Sequence, residues 1–172
     1  MVKGLEMDIA NKGSSEGIIG VRDEIERIQK ALTDFESGQK LDIAIIAEPF
    51  AGRTTLINAT EKMAAHKVTK RSFSSIVKNK EELIFPERPK GIVILDNCHF
   101  LYQRTIGGFG ILEDFLKSVV SSSNLFITTW NLYSWNYLDE VLNIGQFFPI
   151  QLKLPKFTLG ERTLKIAKLP LA

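Results

Sequence analysis

Apolar positions along the chain fall into two alternating rhythms. Val21, Ile25, Ile28, Leu32 and Phe35 recur at steps of four and three, which puts them on one face of a helix, and Gly38 supplies a stop signal. LDIAIIA (41–47) follows, short, β-branched and apolar at both parities, as expected of a strand covered on both sides. TTLINATEKMA (54–64) predicts a second helix, and HKVTKRSFSSIV (66–77) a weaker strand at a sheet edge. EELIFPERPK (81–90) holds Pro86 and Pro89 and reads as a loop into the next strand.

The second half repeats the alternation. GIVILDN (91–97) is a second strand of the buried type, and after the loop CHFLYQRTIGGFG comes a helix with Ile111, Leu112, Phe115, Leu116, Val119 and Val120 on one face. LFITTW (125–130) is a third apolar strand; Ser134 is placed to cap the helix SWNYLDEVLNI and Gly145 to end it. FFPIQLKL (147–154) predicts a last strand with Pro149 near its start, where a missing donor is tolerated. Thr158 and Glu161 then stand three apart, as in a capping box, before RTLKIAKL. Five strands interleaved with helices imply an α/β fold with right-handed crossovers, a largely parallel five-stranded sheet and sites at the strands' carboxyl ends. The expected organisation is a polar lead-in over 1–17, one α/β domain over 18–157 and the start of a further helix over 158–172.

Composition adds bounds rather than a function. A chain of 172 residues, 44% hydrophobic and 24% charged, suffices for one domain with a sizeable core. A net charge of +2 argues neither for nucleic acid nor for a membrane surface. Cys98 is the single cysteine, which excludes an internal disulfide framework and suits a reducing compartment. With no signal-peptide core and no apolar run near the ~20 residues of a membrane helix, the expectation is a soluble, cytoplasmic domain without membrane insertion.

Chemistry concentrates at three strand ends. The stretch AEPFAGRTT comprises Ala47, Glu48, Pro49, Phe50, Ala51, Gly52, Arg53, Thr54 and Thr55, and it lies between a strand and a helix. It differs from the phosphate-binding pattern G-x-x-x-x-G-K-[ST] by Ala47 for the first glycine and Arg53 for the lysine. A strand, a tight turn and a helix N-terminus converge unpaired N–H groups and the positive end of the helix dipole on one spot, which attracts phosphate. Gly52 lets the backbone approach, Arg53 meets phosphate oxygens and Thr54 offers a hydroxyl to Mg²⁺. If the loop needs a left-handed backbone at its first position, Ala47 costs about 1–2 kcal/mol there. Arg53 keeps the charge but is a wide planar fork in place of a compact ammonium. The alternative is an ordinary strand-to-helix turn.

Asp96 ends the strand GIVILDN, where it can hold Mg²⁺ with Thr54 if its strand neighbours the loop's strand; otherwise it caps a turn. Asn97 follows it, an amide able to orient a water but without useful basicity, and His99 is a nearby alternative base or a structural histidine. Asn131 ends LFITTWN, within reach of a phosphate or an attacking water.

In this order, GVRDEIERIQKAL, AEPFAGRTT, GIVILDN, LFITTWN and FFPIQLKLPKFTLGE resemble the core of AAA+ P-loop ATPases, in particular their archaeal, origin-recognition-like and signalling branches. The resemblance spans roughly residues 18–165 and implies a three-layer α/β/α P-loop NTPase fold. It matches residues 47–55 to Walker A, Asp96 and Asn97 to Walker B, and Asn131 to sensor 1. It also puts Ile18 and Ile19 near an adenine, and LPKFTLGER at the passage into a helical lid. The implied ligands are ATP or ADP and Mg²⁺, with Thr54 and Asp96 as metal ligands. The implied partners are another protein or a C-terminal domain, with self-association or a nucleic acid as further options. The motifs are degenerate: Ala47, Arg53 and Asn97 depart from the family pattern, VLNIGQFFP holds no arginine finger, and the sequence reaches Ala172 before a lid with a sensor 2 arginine. Arg104 is the nearest spare arginine. Loss of a transition-state stabiliser typically costs factors of about 10²–10³, so the expectation is a slow ATPase or nucleotide-dependent switch, with a nucleotide-free interaction scaffold as the alternative.

Three lesser signals remain. Lys67, Lys70, Arg71, Lys78 and Lys80 form a basic stretch that reads as a solvated surface, or as a phosphate grip in a nucleic-acid-binding relative. IGGFG (106–110) reads as a mobile loop. Trp130, Tyr133, Trp135 and Tyr137 read as core and lid-facing packing.

Overall fold

A computed structural model of the chain describes residues 21–49, 51–64 and 68–154. Helix α1 (Arg22–Glu36) buries Ile28, Ala31, Leu32 and Phe35. It ends as the sequence predicts: Gly38 has φ 99°, its N–H donates to Phe35 O at 3.0 Å, and the Gln39 N–H donates to Asp34 O at 2.9 Å. Strand β1 (Ile43–Ala47) is buried throughout and leads to helix α2 (Arg53–Met63), then strand β2 (Val68–Ser72). Strand β3 (Ile92–Asp96), helix α3 (Gly110–Ser121), strand β4 (Leu125–Asn131), helix α4 (Leu132–Leu142) and strand β5 (Ile150–Lys153) complete the series. Single 3₁₀ turns occupy Lys80–Leu83, Cys98–Leu101 and Ile144–Phe147.

The five strands form one sheet in the order β2-β3-β4-β1-β5, and every pairing is parallel. Alternate side chains of the central strands serve two cores, as the period of a pleated strand requires. Ile43, Ile45, Ala47, Ile92, Ile94, Leu125, Ile127 and Leu152 pack with the buried faces of α1 and α2. Ala44, Ile46, Val93, Leu95, Phe126 and Trp130 face α3 and α4 and meet Leu112, Phe115, Trp135 and Leu138. The result is the expected α/β/α arrangement of three layers, with the rings of Trp130, Trp135 and Phe148 meeting edge-on or tilted at centroid distances of 5.6–6.0 Å.

Several element ends differ from the expectation, each for a local reason. Val120 is 64% exposed, because it lies roughly 90° around the helix from the centre of the Leu112, Phe115, Leu116 and Val119 stripe. Helix α4 starts at Leu132 and is capped by Asn131, not Ser134: Asn131 Oδ1 accepts from the N–H groups of Tyr133 at 2.9 Å and Ser134 at 3.4 Å. It ends at Asn143, left-handed at φ 52°, while Gly145 sits in the next turn and donates to Asp139 Oδ1 at 2.8 Å. Strand β2 stops at Ser72, and the rest of the predicted segment buries Phe73 and Val77 instead of continuing the ladder. Phe147 and Phe148 precede β5 rather than belong to it. The capping box at Thr158 and Glu161 and the lid passage lie outside the described residues.

Candidate functional site

The loop after β1 opens toward the carboxyl ends of the strands. Ala47 is the last residue of β1, buried and paired in register with Asn131 of β4. Its backbone is ordinary strand, so the penalty for a left-handed alanine does not arise. The Ala51 N–H donates to Glu48 O at 3.3 Å, and Gly52 then takes φ 95°, ψ 15°, a conformation that glycine adopts without steric cost. Leu56 is the first residue of α2 whose N–H turns back to the loop, donating to Gly52 O at 3.0 Å, and among the described residues no side chain caps the helix. The N–H groups of Arg53, Thr54 and Thr55 therefore have no intrahelical acceptor and carry the positive end of the dipole. Thr54 is exposed and Thr55 half-buried. Phe50, Ile18 and Ile19 lie outside the described residues.

Asp96 ends β3, which is not the neighbour of β1: β4 runs between them. Two strand spacings, roughly 9.5 Å, separate the loop's strand from the carboxylate's strand. The side chain of Arg53 crosses that gap and brings Nε to 3.3 Å from Asp96 Oδ1. The same oxygen accepts the Thr129 hydroxyl and, at 3.1 Å, the Asn97 N–H. With side-chain exposures of 26% and 19%, the Arg53–Asp96 pair is only partly screened by solvent.

Asn97 adopts a left-handed backbone, φ 64°, and its Nδ2 donates to Phe73 O at 3.0 Å, tying the exit of β2 to the end of β3. Asn131 lies level with Ala47, its carbonyl oxygen committed to the start of α4. The structure thus gathers Ala47, the start of α2, Asp96 and Asn131 along one edge of the sheet.

No family model and no curated protein matches the chain. Solved structures do. A lysine-to-arginine variant of Thermotoga maritima RuvB superposes with a TM-score of 0.60 at 19% identity, over 86% of this chain and 50% of that one. Thermotoga maritima RuvB, a Holliday junction branch migration motor, gives a TM-score of 0.59 at 16% identity, over 84% of this chain and 49% of that one. The fold is the one these RuvB structures share, an α/β fold on a parallel five-stranded sheet. The chain spans about half the length of the solved structures it matches.

Within this fold, two contributors carry no motif signal in the sequence. Thr129 stands on β4 between the two halves of the site, where its hydroxyl reaches Asp96 and its oxygen accepts the Asn97 N–H at 2.9 Å. A threonine inside LFITTW reads as strand propensity, and only the position of β4 in the sheet reveals it. Tyr133, at the start of α4, donates its hydroxyl to Glu48 Oε1 at 3.3 Å and so links the loop to the neighbouring helix. His99 is half-buried in the turn after Asn97, its pKa lowered first by burial and then by Arg53, against the opposing pull of Asp96.

Mg²⁺ fits one of its two expected ligands. The Thr54 hydroxyl is exposed beside the start of α2. Asp96 Oδ1, by contrast, already faces the Arg53 guanidinium, the Thr129 hydroxyl and the Asn97 N–H, so a divalent ion on that oxygen would lie against a fixed positive charge. Among the described residues no three His, Cys, Asp or Glu side chains gather into a metal site. While Arg53 is seated on Asp96, the pair does not fit the metal.

The basic stretch is largely spent within the protein. Lys70 Nζ lies 3.1 Å from Glu61 Oε2, Lys80 pairs with Asp114, and Arg71 donates to the carbonyls of Glu82 and Ile84. Lys78 is exposed, and Lys67 lies outside the described residues. Arg104 is exposed on the loop between β3 and α3. In that loop the IGGFG segment makes a closed turn, with the Gln103 N–H donating to Gly108 O at 3.1 Å; a Cβ on Gly108 would fall 1.9 Å from Gln103 O. Of the aromatic cluster, Trp130 and Trp135 are core, whereas Tyr133 and Tyr137 are 65% and 45% exposed. No helix among the described residues is long and apolar enough to cross a membrane.

Proposed function

We propose that the chain is an AAA+-type module, spanning 18–157 with the start of a lid over 158–172, that binds ATP at residues 47–55 and acts as a nucleotide-dependent switch or slow ATPase. The observation that carries this reading is the 3.3 Å approach of Arg53 to Asp96 at the uncapped start of α2. Bare N–H groups, a helix dipole and a permanent cation converge there, which is the chemistry that holds a polyphosphate.

Slow turnover follows from the same residues. Asn97 has no useful basicity to take a proton from water, and Arg53 presents a wide fork where a compact ammonium would follow a moving phosphoryl group. Residues 141–149 offer no arginine to stabilise the transition state. Binding energy is retained while transition-state stabilisation is lost, the combination suited to a switch. Its readout would be a partner protein, a further domain of a longer chain or a second copy; the RuvB likeness makes a nucleic acid a further partner to test.

Thermal unfolding in the presence of ATP, ADP and GTP tests the reading. Ligand at 100 times its Kd stabilises the native state by about 2.7 kcal/mol, a rise of several degrees for a domain of this size. Absence of any rise at millimolar nucleotide would favour the scaffold instead.

A further inference from the structure

We infer that Arg53 is the resident cation of this site, so that the chain binds nucleoside di- and triphosphates without a divalent metal, and that Asp96 is the counter-ion of Arg53 rather than a metal ligand. The inference rests on the nucleotide-binding reading and specifies its electrostatics. A polyphosphate needs positive charge against its oxygens. Where a divalent ion supplies it, a strand-end carboxylate is left open to hold that ion, usually through one or two carboxylates and bound water.

Here one of the two carboxylate oxygens is already engaged by a cation and two donors. Asp96 Oδ1 receives an ion pair from Arg53 Nε at 3.3 Å, the Thr129 hydroxyl, and the Asn97 N–H at 3.1 Å. A divalent ion on that oxygen would have to evict the guanidinium, and one on the other oxygen would lie close to the same positive charge. Arg53 suits the substitute role because of its shape. A guanidinium carries five donors in a fixed fork, so contact through Nε leaves the terminal nitrogens to meet a phosphate at the start of α2. A lysine in the same place has one nitrogen and would have to leave Asp96 to reach the ligand.

The sign of the Asp96 effect separates this arrangement from a metal site. A metal-holding aspartate favours nucleotide binding, and its removal weakens it. A counter-ion opposes binding, because its negative charge neutralises Arg53 and repels phosphate.

Calorimetric titration of the full chain with ADP and with ATP, in EDTA and in millimolar Mg²⁺, reads both points. The expected result is a Kd that agrees within about twofold between the two media, and a Kd about three- to tenfold tighter in Asp96→Asn at low salt, as the loss of one nearby negative charge predicts. Asparagine keeps an acceptor oxygen for Thr129 and Asn97, so the fold should survive. Should that variant fail to fold, Arg53→Met decides alone: binding in EDTA is lost if Arg53 is the cation and unchanged if it is not. Binding that appears only with Mg²⁺, or that weakens in Asp96→Asn, overturns the inference while leaving nucleotide binding intact. No binding in either medium overturns the nucleotide reading itself.

Discussion

The imidazole of His99 lies half-buried beside the Arg53–Asp96 pair, its ring 4.5 Å from that of Phe100 and its Nδ1 buried with no hydrogen-bond partner among the described residues. Burial disfavours its charged form, Arg53 adds to that effect, and Asp96 only partly offsets it, so its pKa falls below the ordinary 6.5. The unfolded chain then takes up the proton first as pH drops. Stability is therefore full above pH 6.5 and declines as pH falls from there toward the folded-state value. His99→Gln should flatten that decline, and the measurement is the difference in Tm between about pH 7.5 and pH 5.5 for the two proteins. Asp42 acts in the opposite sense, since burial raises its pKa and acidification relieves the cost of its charge. That term is common to both proteins and cancels in the comparison; equal slopes would show that His99 is solvated after all. At this scale the residue types in the sequence were a good guide where chemistry is unusual. Arg53 stands out at a helix start and Asp96 and Asn131 at strand ends, whereas Thr129 is indistinguishable from any strand threonine until its neighbours are known.

At the scale of elements, Asn131 shows how a motif residue can carry a structural task. Its side-chain oxygen accepts from two N–H groups of the first turn of α4, a capping arrangement worth about 0.5–2 kcal/mol. Asn131→Ala should lower unfolding stability by about 1 kcal/mol in urea denaturation, and Asn131→Ser should restore most of it, because a hydroxyl caps as well. If Asn131 also touches the terminal phosphate of ATP, the serine variant keeps stability but loses the preference for ATP over ADP; unchanged preference limits the residue to its cap. The helices and strands themselves were legible because their apolar periods are strong. Their ends were legible only in part, because caps are decided by single side chains: Gly38 ends α1 as read, but Asn131 took the place of Ser134, and Asn143 that of Gly145. Asparagine tolerates a left-handed backbone and accepts hydrogen bonds, so it serves at either end of a helix.

Across the whole molecule, the sheet order β2-β3-β4-β1-β5 decides what the site is, and no local pattern reveals it. Strand order depends on contacts far apart in sequence, so whether β1 and β3 adjoin was left open by the sequence; β4 lies between them, and the long side chain of Arg53 spans it. A second long-range feature is the passage from β2 to β3, which has no α-helix to cover the sheet. Residues 73–91 do that work instead, burying Phe73 and Val77 and packing Leu83 and Phe85 against the core. Arg71 at the edge strand fastens them. Its guanidinium donates to the carbonyls of Glu82 and Ile84 and lies 4.7 Å from the centroid of Phe85, which meets Phe126 edge-on at 5.9 Å. Two charge-assisted hydrogen bonds and a cation–π contact, partly exposed, amount to about 1–2 kcal/mol. Arg71→Ala should therefore lower stability by about that much and speed amide exchange across residues 80–85, with the β1–β4 ladder unchanged. Lys70→Ala removes only a half-exposed pair with Glu61 and should stay within about 0.5 kcal/mol of the parent. Were the basic stretch also a surface for nucleic acid, both variants would in addition weaken retention on DNA in proportion to the charge lost.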